Sequence, residues 1–410
     1  MQSKWLKLLS ILAVHYYGLG AVVASDSLQF QTRYQCNEDE TIKHPHYCYL
    51  MELAATEPEH LASDLHIFAK QVGSVVDDEL FLSQSGHVRN INTATTKRNL
   101  RNRFGNNVEV DVQDSSFPTV TAHGMGDSCF NGGMQFITQR ISNQTGQYAT
   151  CIPTGDNLHD DTLNGYFLSM NANVDIFAEK IRNDPSLSEG FNAIGFSQGN
   201  NVIRSYIARY NDPPVRTFIS VCGVNAGIGA LPYCIPKVVS PVGDSYPDSA
   251  MNLSSKICNA LMEVASNRAY SEFSQTHSFQ ANYWRDPRPE EKENYQKYSQ
   301  LASIGNEGPV KNATLNKNYA KTDQFVWILA TEDTIVWPRE GEQWGAPDSD
   351  ASDPFDNLLA MKQTEWYKSD LFGLRTADEQ GKNHFEQFEG NHLAFSRDDL
   401  DSWISKYFLA

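Results

Sequence analysis

The stretch Gly195-Phe196-Ser197-Gln198-Gly199 sets a serine between two glycines and matches the pattern G-x-S-x-G. That pattern describes a sharp strand-to-helix turn that lifts a hydroxyl into the open, with glycine where a larger side chain would collide. The apolar run "FNAIGF" precedes it and the amphipathic run "NVIRSYIARY" follows, which is the context such a turn needs. A serine hydroxyl is a poor nucleophile until a base takes its proton, and the base needs a carboxylate to orient it. Where the chain order is Ser, acid, His, the acid stands at the carboxyl end of a strand. Asp333 stands there, directly after "FVWILATE", with Glu332 as the adjacent alternative. Two histidines follow: His384 opens the strand-like "HFEQF", and His392 lies beyond it in "EGNHLAF", ahead of the last helix. A loop lets an imidazole reach over the end of a sheet, which favours His392. An oxyanion hole needs two backbone N–H groups aimed at the developing charge. Gln198, after the serine, supplies one, and Met125 in the loop "HGMGDS" supplies the other. His123 precedes the serine and is expected to be structural.

These groups need a frame. From Ser115 onward the chain reads as strand, loop and helix in repetition: "FPTVTAH", "VDIFAEKIRNDP", "FNAIGF", "NVIRSYIARY", "TFISVCG", "DQFVWILATED" and "RDDLDSWISKYFL". Buried apolar strands alternating with helices predict a mainly parallel sheet covered on both faces, an α/β fold. The alternation stops between Gly223 and Asp323, so an inserted subdomain is expected over about 224–322. Residues 25–114 differ: a helical segment, "HYCYLMELAATEPEHLASDLHIFAKQ", leads into a polar, basic linker with a dibasic pair at Lys97-Arg98. This extension has no readable role. The domain that carries these groups is expected to be 115–410.

The 410 residues carry 50 acidic and 33 basic side chains, a net charge of −17, which excludes nucleic acid and anionic membranes as natural partners. Lys4 and Lys7, an apolar run from Leu8 and small residues near Ala24 form a secretory signal peptide over 1–24. No other segment is long and apolar enough to span a bilayer, so the mature chain is expected to be soluble. Entry to the secretory route makes disulfides available to the seven cysteines, and an odd count leaves one unpaired. No C-x-x-C pair supports a zinc site. Sequons at Asn143, Asn252 and Asn312 are glycosylation candidates.

Taken together, "AHGMGDSC", "GFSQG", "ISVCGVNAGIGALPYC", "ANYWRDP" and "GNHLAFS" resemble the palmitoyl-protein thioesterases, from about Phe117 to the C-terminus. The resemblance implies an α/β-hydrolase fold, no cofactor or metal, a monomer, and a lysosomal or extracellular destination. It places the nucleophile on Ser197, the acid on Asp333, the base on His392 and the oxyanion donors on Met125 and Gln198. It also implies a disulfide between Cys234 and Cys258. Asn200 departs from the family, where glycine is common, and so puts the first turn of the following helix in question. The implied substrates are S-acylated proteins and fatty-acyl thioesters; a secreted esterase or lipase acting on other acyl esters is the alternative. A palmitoyl tail offers roughly 10 kcal/mol to a dry groove at about 0.8 kcal/mol per CH₂. Ile228, Leu231, Ile235, Leu261, Val264, Phe273, Tyr283 and Trp284 are candidates for its wall; the alternative is that most of them are ordinary core.

Overall fold

A computed structural model describes residues 35–76, 99–101, 107–109, 116–231, 253–265 and 268–409. Six strands form its central sheet: β1 (Thr119–Ala122), β2 (Ala149–Cys151), β3 (Phe191–Phe196), β4 (Val215–Val221), β5 (Gln324–Ala330) and β6 (Asn383–Phe388). Their order is β2-β1-β3-β4-β5-β6 and every pairing is parallel. Parallel strands need long crossovers, and those crossovers lay helices on both faces. β3 is buried along its whole length because both of its faces are covered. Phe191 and Ala193 point into one apolar cluster, while Ile194 and Phe196 point into another on the opposite face.

Three helices precede the sheet: α1 (Glu38–Lys43), α2 (Pro45–Thr56) and α3 (Pro58–Gln71). Proline opens α2 and α3, where its missing N–H costs nothing. The crossover helices are α4 (Gly132–Thr145), α5 (Leu158–Phe167), α6 (Met170–Asn183) and α7 (Gly199–Arg209). Val174, Phe177 and Ile181 of α6 join Ile203, Tyr206 and Ile207 of α7 on one face of the sheet. Ile137 and Ile141 of α4 join Trp403 and Ile404 of the C-terminal helix Arg397–Phe408 on the other. Between β4 and β5 the chain leaves the sheet for a helical excursion. It includes α8 (Leu253–Ala265), α9 (Glu272–His277) and α10 (Phe279–Asn282), with further short helices through Tyr319.

The N-terminal helices do not stand apart. Tyr47, Leu50 and Met51 of α2, with Leu61, Leu65 and Phe68 of α3, share one buried cluster with Met125, Leu163, Tyr166, Phe167, Leu261 and Val264. Backbone N–H groups of His46 and Tyr47 donate to Glu263 on α8, and the Tyr47 hydroxyl donates to Tyr166 O and His277 O. Disulfides join Cys36 to Cys48 and Cys129 to Cys151, and Cys222 is free and buried. Cys258 is disulfide-bonded, whereas Cys234, its expected partner, lies outside the described residues. The expected signal peptide over 1–24, the Lys97-Arg98 pair, Ile235 and Asn252 also fall outside them. Among the described residues no helix is long and apolar enough to cross a membrane.

Candidate active site

The chain runs from β1 outward to β2, then returns to β3 on the other side of β1. The crevice beyond the carboxyl ends of β1 and β3 is therefore a topological switch point, where open α/β sheets take their ligands. Ser197 follows β3 there with a positive φ of 50°, the strained turn that presents a side chain away from both strand and helix. Its N–H donates to Val221 O at 3.0 Å, which ties the turn to β4. A Cβ at position 199 would stand 2.3 Å from Ala122 O, so only glycine lets α7 pass this close to β1. Asn200 does not disturb the turn. Its Nδ2 donates to Ser197 O at 2.9 Å and to Val221 O at 3.0 Å, bracing the elbow from inside.

Asp333 follows β5 and His392 follows β6, and the two neighbouring strand ends bring them together. His392 Nδ1 lies 2.5 Å from Asp333 Oδ2, with both side chains fully buried. The other carboxylate oxygen accepts the Ile335 and Val336 amides at 2.7 and 2.8 Å. Burial works against a charged Asp333, but His392 and these amides outweigh it and hold the carboxyl below its usual range. With Nδ1 donating to Asp333, Nε2 keeps its lone pair, and it has no partner among the described residues. Glu332 is exposed, one residue out of this arrangement. His384 sits on β6 with its ring 5.3 Å from that of Tyr407, against the C-terminal helix.

Met125 and Gln198 lie on the loops after β1 and β3, and a Cβ at Gly124 between them would be 3.2 Å from Ser197 Cβ. The amides at 125 and 198 donate to no described residue. Sequence reasoning missed what supports them. His123 Nε2 meets Asp161 Oδ2 at 3.2 Å, and Asp161 also accepts from Ser128 Oγ, Cys129 N, Thr154 N and Gly155 N. Burial opposes an imidazolium at His123, yet the Asp161 carboxylate lifts its pKa to about 9. The same pairing overcomes burial at Asp161 and lowers its pKa to about 2. Under the serine turn, Gln198 Nε2 donates to Gly165 O at 2.8 Å, and its Oε1 accepts from Gln280 Nε2 and the Tyr283 hydroxyl. Tyr283 was a wall candidate; its hydroxyl is instead part of this network. The motif "ANYWRDP" was the available signal.

The segment after α3 crosses the mouth of the crevice. Ser74 Oγ donates to Met125 O at 3.1 Å, and Val76 N donates to Asp127 Oδ2. A Cβ at Gly124 would come 2.8 Å from Ser74 O, and one at Gly73 would come 3.9 Å from His392 O. Gly126, at φ 74°, lies so near α3 that a Cβ there would be 2.2 Å from Ala69 Cβ. Ser197 is 4 % exposed. Leu261, Val264 and Phe273 bury against α2 and α3, and Ile228, Tyr283 and Trp284 bury in the sheet-side core. Leu231 is half-buried between the two.

A family model described as palmitoyl protein thioesterase matches residues 118–392. The chain belongs to the palmitoyl protein thioesterase family. It is 34 % identical to palmitoyl-protein thioesterase 1 of Caenorhabditis elegans over 297 residues, covering 71 % of this chain and 92 % of that one. It is 27 % identical over 196 residues to a human lysosomal thioesterase, PPT2, covering 46 % of this chain and 54 % of that protein. Among solved structures, a pyrethroid hydrolase aligns over 71 % of this chain and 97 % of its own with a TM-score of 0.35 and 10 % identity. The fold is a parallel sheet with helices on both faces, and the chain is a thioester hydrolase. The matched region begins after α1–α3, so the helices that cover the crevice lie outside it.

Proposed function

We propose that this thioesterase removes long-chain fatty-acyl groups, palmitoyl foremost, from protein cysteines through an acyl-enzyme on Ser197. The observation that carries the reading is the 2.5 Å contact between His392 Nδ1 and Asp333 Oδ2 beside the serine turn. His392 Nε2 takes the Ser197 hydroxyl proton as the oxygen attacks the thioester carbonyl. The Met125 and Gln198 amides receive the oxyanion. Collapse of the tetrahedral intermediate breaks the C–S bond; the thiolate leaves and takes a proton from His392. Water, deprotonated by His392, then attacks the acyl-serine and returns the free acid and Ser197. Asp333 holds the imidazole in the required tautomer and stabilises the imidazolium that forms twice per cycle. Residues 115–410 carry this chemistry, with no cofactor or metal in the scheme.

The signal peptide over 1–24, a disulfide between Cys234 and Cys258, and N-glycans belong to the same reading: a lysosomal or extracellular glycoprotein acting as a monomer. Asn143 and Asn312 are both exposed, as a glycan requires. Hydrolysis of a palmitoyl thioester by the purified protein tests the function. Ser197→Ala is expected to lower turnover by roughly 10⁴-fold or more; persistent turnover would remove Ser197 from the mechanism. An oxyester with the same tail, turned over as fast as the thioester, would shift the assignment to a lipid esterase.

A further inference from the structure

Asp333 is not the only carboxyl group beside His392. Glu342, on the short helical turn Arg339–Gln343, is fully buried. One ligand atom each from Glu342, Asp333, His392 and Cys222 falls within 4.8 Å of the others. Glu342 Oε2 accepts the Ala330 amide at 2.9 Å, and the carboxyl group stands beside that of Asp333 in this cluster. Two carboxylates cannot bond to each other without a proton between them. Asp333 already accepts from the His392 ring and from two amides, which favours its charged form. Glu342 accepts a single amide, and its Oε1 has no donor among the described residues. A proton on Glu342 would turn its unpartnered Oε1 into a donor with the Asp333 carboxylate as the neighbouring acceptor.

The surroundings agree. Burial, then the Asp333 charge, pushes the Glu342 carboxyl well above the ordinary range. Glu340 on the same turn adds a further negative charge. The Cys222 thiol on the β4 side is itself pushed up by burial and stays neutral. No lysine or arginine ion pair reaches Glu342 among the described residues.

We propose that Glu342 is a positioning residue that stays protonated in the folded enzyme and, by donating to Asp333, holds that carboxylate against His392. The inference rests on the reading of His392 as the base. An ionised Glu342 would put a second negative charge beside the imidazole and trap it as imidazolium; a neutral one steadies Asp333 without that cost.

Two variants separate these cases. Glu342→Leu removes the donor and is expected to lower kcat for a palmitoyl thioester by about tenfold or more with KM little changed, the loss expected for a hydrogen bond to a charged group. Glu342→Gln is isosteric, keeps an N–H donor and recovers most of that loss. The His392 ring, followed by NMR against pH, needs no substrate: wild type and Glu342→Gln should titrate with the same midpoint. A midpoint lower by about one pH unit in Glu342→Gln would mean that Glu342 was charged in the wild type, and would overturn the proposal. Wild-type kcat in Glu342→Leu would overturn it too. A chain inert toward thioesters would sink the functional reading alone, because the imidazole titration still decides the state of Glu342.

Discussion

At the scale of single residues, the loop that carries Met125 rests on charge as well as on backbone. His123 and Asp161 form a buried ion pair under "HGMGDS", and four further donors converge on the Asp161 carboxylate. Losing one partner of such a pair strands the other in a dry site, which typically costs 3–5 kcal/mol. Asp161→Asn is therefore expected to lose about 3 kcal/mol or more in denaturant unfolding near pH 6. The sign of its pH dependence follows from both partners. His123 is raised from 6.5 to about 9, so its contribution is complete below 6.5 and fades as the pH climbs through about 9. Asp161 is lowered from 3.8 to about 2, so its contribution is complete above 3.8 and is lost toward about 2. The stability gap between wild type and variant should thus be flat from about pH 4 to 6.5 and narrow in alkali. A gap that widens above pH 7 would contradict the pairing. The serine turn was legible from its own flanks, because glycine spacing around a strained turn is a local property. Neither Asp161 nor Glu342 could be read that way: an Asp in "LHDDTL" and a Glu in "REGEQW" look like surface charges until the fold buries them.

At the scale of elements, the N-terminal helices are the largest departure from expectation. The sequence marked them as helical and gave them no place. The structure sets α2 and α3 against Met125, Leu163, Tyr166 and Phe167, and runs the following turn from the loop after β1 to His392. Leu65 is fully buried at that junction. Leu65→Ala should lower global stability by about 2–5 kcal/mol, the range for a buried leucine that leaves a cavity. It should do so in a single cooperative transition followed by both near-UV and far-UV dichroism. An early, separate transition would instead show that α1–α3 melt as their own unit and that the hydrolase core holds without them. The acyl-wall candidates belong to this same question, since Leu261, Val264 and Phe273 are covered by α2 and α3 instead of lining an open groove.

For the whole molecule, the net charge of −17 sets a long-range field that the site chemistry does not use. Such a field attracts basic substrates and repels acidic ones, in proportion to how little salt screens it. Palmitoylated peptides with lysines flanking the cysteine should show several-fold higher kcat/KM than matched acidic peptides at low ionic strength. The ratio should approach unity near 1 M salt, where the Debye length is about 3 Å. A ratio that ignores salt would mean that local contacts, not the global field, choose the substrate. The sequence by itself determined the parallel sheet, the serine turn and the order of candidate acid and base, because period, punctuation and glycine spacing are local signals. It also carried enough motif to place the chain in its family. Only the tertiary structure decided between Glu332 and Asp333 and between His384 and His392 as partners in contact. Only it found the His123–Asp161 contact, the buried Glu342 beside Asp333, and the bonds of residues 74 and 76 to the loop after β1. Those outcomes depend on which strand ends become neighbours and which charges lose their water. Both are set by long-range packing, of which no short stretch of sequence holds a trace.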